Sequence, residues 1–335
     1  LNEAEEIRSI GKNVAVVTPH QRAAGYIPPS IELEENELLG TGRIDPLIRA
    51  QGSLKQNHQY GITFAVDTIA EIGGYDYGFQ YVTNGVKIFD ETDSTVLVYS
   101  EDPSKYVGQN IVFKDTANYW TLNTLDPVLT DVFDGLQVEI DQGVEVPKYS
   151  YENSGWVNGS GIMRITPTNI EALRLAWKYN IVFTGEDSAY VGIARSGTVR
   201  DETGSSIGSN KITEPAVNFY VQNTSFIDTV TGQYPLMDVV VHDVNNNGTL
   251  EIGIDRFFIG ATVGSRWRAT AFVMDFQLDA GASYPAGEAV YQVDWERPFF
   301  LTDTVRFTVG AENAMENSIV QSDLDSIKVV PNPYV

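Results

Sequence analysis

The chain has 335 residues, 22 of them basic and 45 acidic, for a formal net charge of −23. That charge argues against nucleic acid as a partner, because phosphates repel an acidic surface. The absence of cysteine excludes disulfides, thiolate chemistry and cysteine-ligated zinc or iron–sulfur sites. Hydrophobic residues make up 42% of the chain, ample for a core, and no apolar run approaches the ~20 residues a membrane helix needs.

The chain starts at Leu1 without a methionine or a signal peptide, and it stops in a Pro-rich turn. Two expectations follow, a mature processed form or a fragment of something longer. Helical periodicity is scarce and confined to residues 2–10 and 169–177; the latter carries Ile170, Leu173 and Trp177 at helical spacing behind a capping Asn169. Strand signals dominate. Val, Ile, Thr, Tyr and Phe alternate with polar residues at 13–17, 60–66, 95–99, 136–140, 217–221, 237–241, 305–309 and 326–330, with Gly, Asn, Asp and Pro between the runs. About sixteen such runs, at sandwich-like spacing, predict an all-β fold.

One pattern occurs twice. Tyr60, Ile62 and Phe64 in the first half are echoed by Tyr179, Ile181 and Phe183 in the second. In a strand each triplet shares one face, so each copy is expected to be a core stripe. The Gly/Ser/Asn-rich stretch 153–161 lies between the copies and is the natural boundary. The expected architecture is two tandem β-sandwich domains, immunoglobulin-like or jelly-roll-like, with few short helices. They would span residues 1–152 and 162–335, joined by a linker at 153–161.

The sharpest local motif begins at Asp243. Asp243, Asn245 and Asn247 put oxygen side chains at positions 1, 3 and 5 of a loop, Gly248 stands at position 6, and Thr249 offers a backbone carbonyl at position 7. This is the first half of an EF-hand-type calcium loop, with Glu251 reaching in directly or through water. Position 12 is Ile254, and the next carboxylate, Asp255, falls one place late. Two Asn among the ligands lower the charge and predict modest affinity for Ca2+. The plainer alternative is an Asn/Gly turn that tolerates left-handed geometry.

A second pattern is spread along the chain. Asp followed by Ser or Thr and then a small or aliphatic residue, or Thr, recurs seven times, with hydroxyls on Thr68, Ser94, Thr116, Ser188, Thr229, Thr304 and Ser326. The triplet resembles the O-glycosylation sequon of gliding-type, Bacteroidetes-like bacteria; the alternative is that Asp-Thr and Asp-Ser start strands and turns. Candidate catalytic groups are thin. His20, His58 and His242 stand apart from one another in sequence, without zinc-ligand spacing or a triad context. A carboxylate pair of the glycosidase kind is not selectable among 45 acids. Trp120, Trp156, Trp177, Trp267 and Trp295 are candidates for sugar stacking, with core packing the commoner role.

Residues 322–334 (SDLDSIKVVPNPY) resemble a junction in large secreted bacterial surface proteins exported by the type IX system, and residues 297–307 and 132–136 resemble recurring elements of the same proteins. The resemblance implies secretion, β-sandwich modules and surface display, and it carries over no catalytic residues. The expected function is a non-enzymatic extracellular structural protein. A sharper form is the subunit of a glycosylated filament or sheath, self-associating through its terminal strands at 13–17 and 326–330. The alternatives are an adhesin or carbohydrate-binding module, whose partners are glycans, and a secreted hydrolase. Neither nucleic acid nor membrane insertion is expected.

Overall fold

This computed structural model describes residues 26–34, 37–96, 111–114, 119–122, 127–168, 175–185, 190–191, 197–212, 215–276, 283–311 and 313–314. Among them the chain is all-β, with several antiparallel sheets and one 3-10 turn at Gln51–Ser53. Of the two helices expected from sequence, residues 2–10 and 169–174 lie outside the described part, and 175–177 form no helix.

The largest sheet runs Ile31–Leu33, Thr304–Val309, Gln59–Glu71, Phe79–Asp90, Tyr119–Leu122 and Ile111–Lys114, with Thr95–Val96 also paired to Phe79–Asp90. A strand from near the carboxyl end of the chain thus sits between two from the first hundred residues. Opposite it, Arg43–Ile48, Leu136–Asp141 and Val128–Leu129 form a second layer. Tyr60, Ile62, Phe64, Val138, Ile140 and Phe307 are buried together in the core between the two.

A second pair of sheets encloses a larger core. One holds Gly155–Asn158, Val290–Val293, Tyr179–Phe183 and Phe219–Asn223; the other holds Arg164–Pro167, Arg266–Asp275, Arg256–Val263, Asp238–His242 and Lys211–Ile212. Tyr179, Ile181 and Phe183 face this core with Phe219, Phe257, Phe272 and Trp295. Both Tyr-x-Ile-x-Phe triplets are therefore buried stripes, each on an inner strand of its own sheet. The stretch 153–161, expected as a linker, contains the strand Gly155–Asn158, because Trp156 packs inward on Phe183 and Tyr291.

The outer face of the five-stranded sheet is also covered. Val199 and Ile207, from the 197–212 excursion, pack on Val240, Phe258, Trp267 and Val273. Strand Asp238–His242 is thus buried on both faces and is rigidly placed where it delivers the 243–255 loop.

Candidate metal centre

Asp243 leaves this strand nearly buried, at 3% exposure. Its Oδ1 accepts the Asn247 N–H at 3.1 Å and its Oδ2 the Gly248 N–H at 2.7 Å, which folds the loop back over the carboxylate. The fold-back needs left-handed backbone at Asn246 (φ 56°) and Gly248 (φ 77°), the conformation that Asn tolerates and glycine adopts freely. Asp255, at 1% exposure, closes the base of the loop: Oδ1 accepts the Val244 N–H and Oδ2 the Glu251 N–H at 2.8 Å. Leu250 and Ile252 pack against the main core and pin the far side.

Three of the expected ligands converge. The amides of Asn245 and Asn247 both lie 2.6 Å from one oxygen, Glu251 Oε2. A half-turn of the Asn245 amide would exchange nitrogen for oxygen at the same place, whereas the same turn at Asn247 would give up the bond its Oδ1 accepts from the Thr249 N–H. Both amide N–H groups donate to the Glu251 carboxylate. Asp243 sits at the base of the same loop, and Thr249 donates its N–H to Asn247 Oδ1 at 2.7 Å. Asp255 lies one place past position 12 of an EF-hand loop, and like Asp243 it has both oxygens engaged by backbone N–H groups. The carboxylates of Asp243, Glu251 and Asp255 do not gather within 4.8 Å of one another, and the convergence here is of two amides on one carboxylate.

A second polar cluster was not legible as one in the sequence. His58 Nδ1 lies 2.8 Å from Asp90 Oδ2, and the Asp90 side chain is fully buried. Asp90 Oδ1 accepts the N–H groups of Thr92 and Asp93, each at 3.0 Å. Lys55 Nζ reaches Asp93 at 2.9 Å, Asp90 at 3.3 Å and Asp134 at 3.5 Å, and Tyr60 donates its hydroxyl to Asp134. Among the described residues, His58, Asp90 and Asp93 are the group whose ligand atoms lie close enough together for a metal. The Lys55 ammonium already occupies it as a counter-charge shared among Asp90, Asp93 and Asp134. Hydrogen bonding to Asp93 holds Lys55 well above its ordinary pKa despite partial burial, so it is a fixed cation and a poor nucleophile. The cluster ties three segments together; the signal that could have found it is hairpin register, which places Tyr60 opposite Asp90.

Much of the acidic character has the same structural use. Asp90, Asp201, Asp228, Asp243, Asp255 and Asp303 each accept two or three backbone N–H groups. Of the seven Asp-Ser/Thr triplets, Thr68, Ser94 and Thr229 are exposed, and Thr304 is half-buried at the start of its strand. Thr116, Ser188 and Ser326 lie outside the described residues. Trp177, Trp267 and Trp295 are buried, so sugar stacking is not available to them; Trp156 is partly buried, and the side chain of Trp120 lies outside the described set. His242 meets the Phe258 ring in an edge-to-face contact, and burial, with Arg256 nearby, holds it below the usual imidazole range.

These clasps set a pH dependence. At Asp90 and Asp201 burial pushes the pKa up, but backbone and side-chain donors outweigh it and the net shift is downward; at Asp228 the N–H groups of Thr231 and Val230 lower it directly. A carboxylate depressed in the folded state adds stability above its unfolded pKa and loses it as pH falls through the folded one. Asp238 opposes them, because burial raises its pKa and its charge costs stability once ionised. Three against one, the urea midpoint is expected to fall as pH drops from about 5 to about 2; a midpoint that rises over this range would show that the clasps do not act.

Comparison of the chain with family models, with curated proteins and with solved structures gives no match. No helix among the described residues is long and apolar enough to cross a membrane.

Proposed function

We propose that this chain is a non-enzymatic structural protein of the extracellular space or bacterial surface, built of tandem β-sandwich units and stiffened by Ca2+ at the 243–255 loop. The observation that carries the reading is the meeting of Asn245, Asn247 and Glu251 on one point, in a loop strung between two core strands. A ligand set that is half amide binds calcium weakly, in the ~0.1–1 mM range typical of extracellular modules. Such a site fills where calcium is millimolar and stays empty in a cytosol. Asp243, Asn245, Asn247 and Glu251 would supply side-chain oxygens and Thr249 its carbonyl, while Asp255 holds the loop shut.

The carboxyl-terminal resemblance to type IX-exported proteins supports the same compartment. Exposed Thr68, Ser94 and Thr229 are the reachable acceptors for O-linked sugar. The terminal strands proposed to link subunits, 13–17 and 326–330, lie outside the described residues. Intact mass of the natively isolated protein, with negative-stain imaging of the same sample, tests this part. The polypeptide of these 335 residues weighs 37.0 kDa. Extra mass in sugar-sized steps together with polymers is the expected result; a bare mass and dispersed monomers would remove both the glycan and the filament.

A further inference from the structure

An open groove with a volume of about 700 Å³ lies over the outer face of the four-stranded sheet. Its floor is the central strand Tyr179–Phe183, which turns Tyr179, Ile181 and Phe183 inward and Asn180 outward. Asn180 stands in register with Gln292 on one neighbouring strand. The 226–234 loop supplies one wall, and Glu37 with Leu38 and Leu39 supplies another.

The groove collects polar groups that have no partner, in a protein whose aspartates are mostly engaged. Asn180 Oδ1 is buried without a hydrogen bond among the described residues. Gln292 is fixed by its Nε2, which donates to the Asn153 carbonyl at 2.8 Å, and its Oε1 has no partner among the described residues. Among the described residues neither the Lys178 ammonium nor the Glu37 carboxylate has an ion-pair partner. Arg297, 3% exposed and anchored on Asp294 and the Leu39 carbonyl, adds a fixed positive charge to the lining. A buried acceptor left without a donor carries a desolvation penalty that a bound donor would relieve. Beside these groups Tyr234 and Ile227 stay 41% and 59% exposed at the rim.

We infer that this groove is a binding site for a neutral oligosaccharide. Sugar hydroxyls both donate and accept, which suits a floor of amide oxygens flanked by one carboxylate and one ammonium. The apolar face of a pyranose ring suits an exposed tyrosine. A peptide adding as a strand has no place here, because the floor strand is already paired on both sides. A polyanion is opposed by the net charge of −23. The volume falls in the range of small-ligand sites, about 300–1,000 Å³. The inference is independent of calcium, since none of the loop ligands lines the groove.

Isothermal titration of the full chain with the hexasaccharides of β-1,4-glucose, α-1,4-glucose, xylose, mannose and N-acetylglucosamine tests it. At least one is expected to bind. Tyr234→Ala and Gln292→Ala, each checked for an unchanged melting curve, should weaken that binding about tenfold, with Lys178→Ala as a third variant if either fails to fold. Tyr151→Ala, at an exposed position that does not line the groove, should leave it unchanged. No heat with any of the five sugars, or an affinity indifferent to the groove substitutions, would overturn the inference.

Discussion

Asp303→Ala is expected to lower the stability of the folded chain by about 4 kcal/mol or more. Asp303 is 2% exposed and accepts three backbone N–H groups: Leu39 at 2.7 Å, Gly40 at 2.8 Å and Phe300 at 2.7 Å. Hydrogen bonds to a charged group are worth about 1.5–3 kcal/mol each, and alanine leaves all three donors unpaired. The position matters because the two cores meet here. Phe299 turns into one and stacks on Phe64 at 4.2 Å, while its neighbour Phe300 turns into the other against Tyr81 and Trp177. Arg297 reinforces the same seam by donating to the Leu39 carbonyl at 2.7 Å. Asp303→Asn keeps one acceptor oxygen and should lose less. Urea unfolding of the two variants measures the effect; a loss under about 1 kcal/mol for alanine would mean that the clasp does not hold the seam.

Gly260→Ala should be the most damaging single-methyl insertion, costing about 3 kcal/mol. Gly260 lies at a register shift in the hairpin formed by Arg256–Val263 and Arg266–Asp275. A Cβ there would stand 2.0 Å from the Ala269 carbonyl oxygen and 2.5 Å from the Trp267 ring. Neither neighbour has room to yield, since Trp267 is packed in the outer core and the carbonyl belongs to the partner strand. Gly52→Ala, where nothing lies within 4 Å of the added carbon, is the matched control and should be near neutral. Thermal unfolding of the pair decides it; equal melting temperatures would contradict the packing described.

The all-β character was legible because alternation of apolar and polar residues is a local signal. The Tyr-x-Ile-x-Phe stripes show this best, since all six side chains are buried as their spacing predicts. What local pattern does not carry is partnership at a distance. His58 reads as isolated until hairpin register brings Asp90 and Asp93 to it from 32 and 35 residues away. The seam at Asp303 joins residues more than 250 positions apart, and nothing in Asp303-Thr304 distinguishes a clasp from a sequon. In the 243–255 loop the sequence marked a sharp turn at Gly248, and the left-handed backbone found there is one that a calcium loop and a plain Asn/Gly turn both use. The role of Asp255 was not legible, because only the folded loop shows its two oxygens taken up by Val244 and Glu251.

The most direct measurement of the central claim is thermal unfolding with about 2 mM Ca2+ and with a chelator, on the full chain and on Glu251→Gln. A site of about 0.1–1 mM affinity should raise stability by about 0.6–1.8 kcal/mol at that concentration, a shift of roughly one to a few degrees. Glu251→Gln removes the only charge at the point of convergence and should abolish the shift, and the same concentration of Mg2+ should not reproduce it. A melting temperature indifferent to calcium in the full chain would contradict the account and leave the loop a turn closed by its own amides and carboxylates.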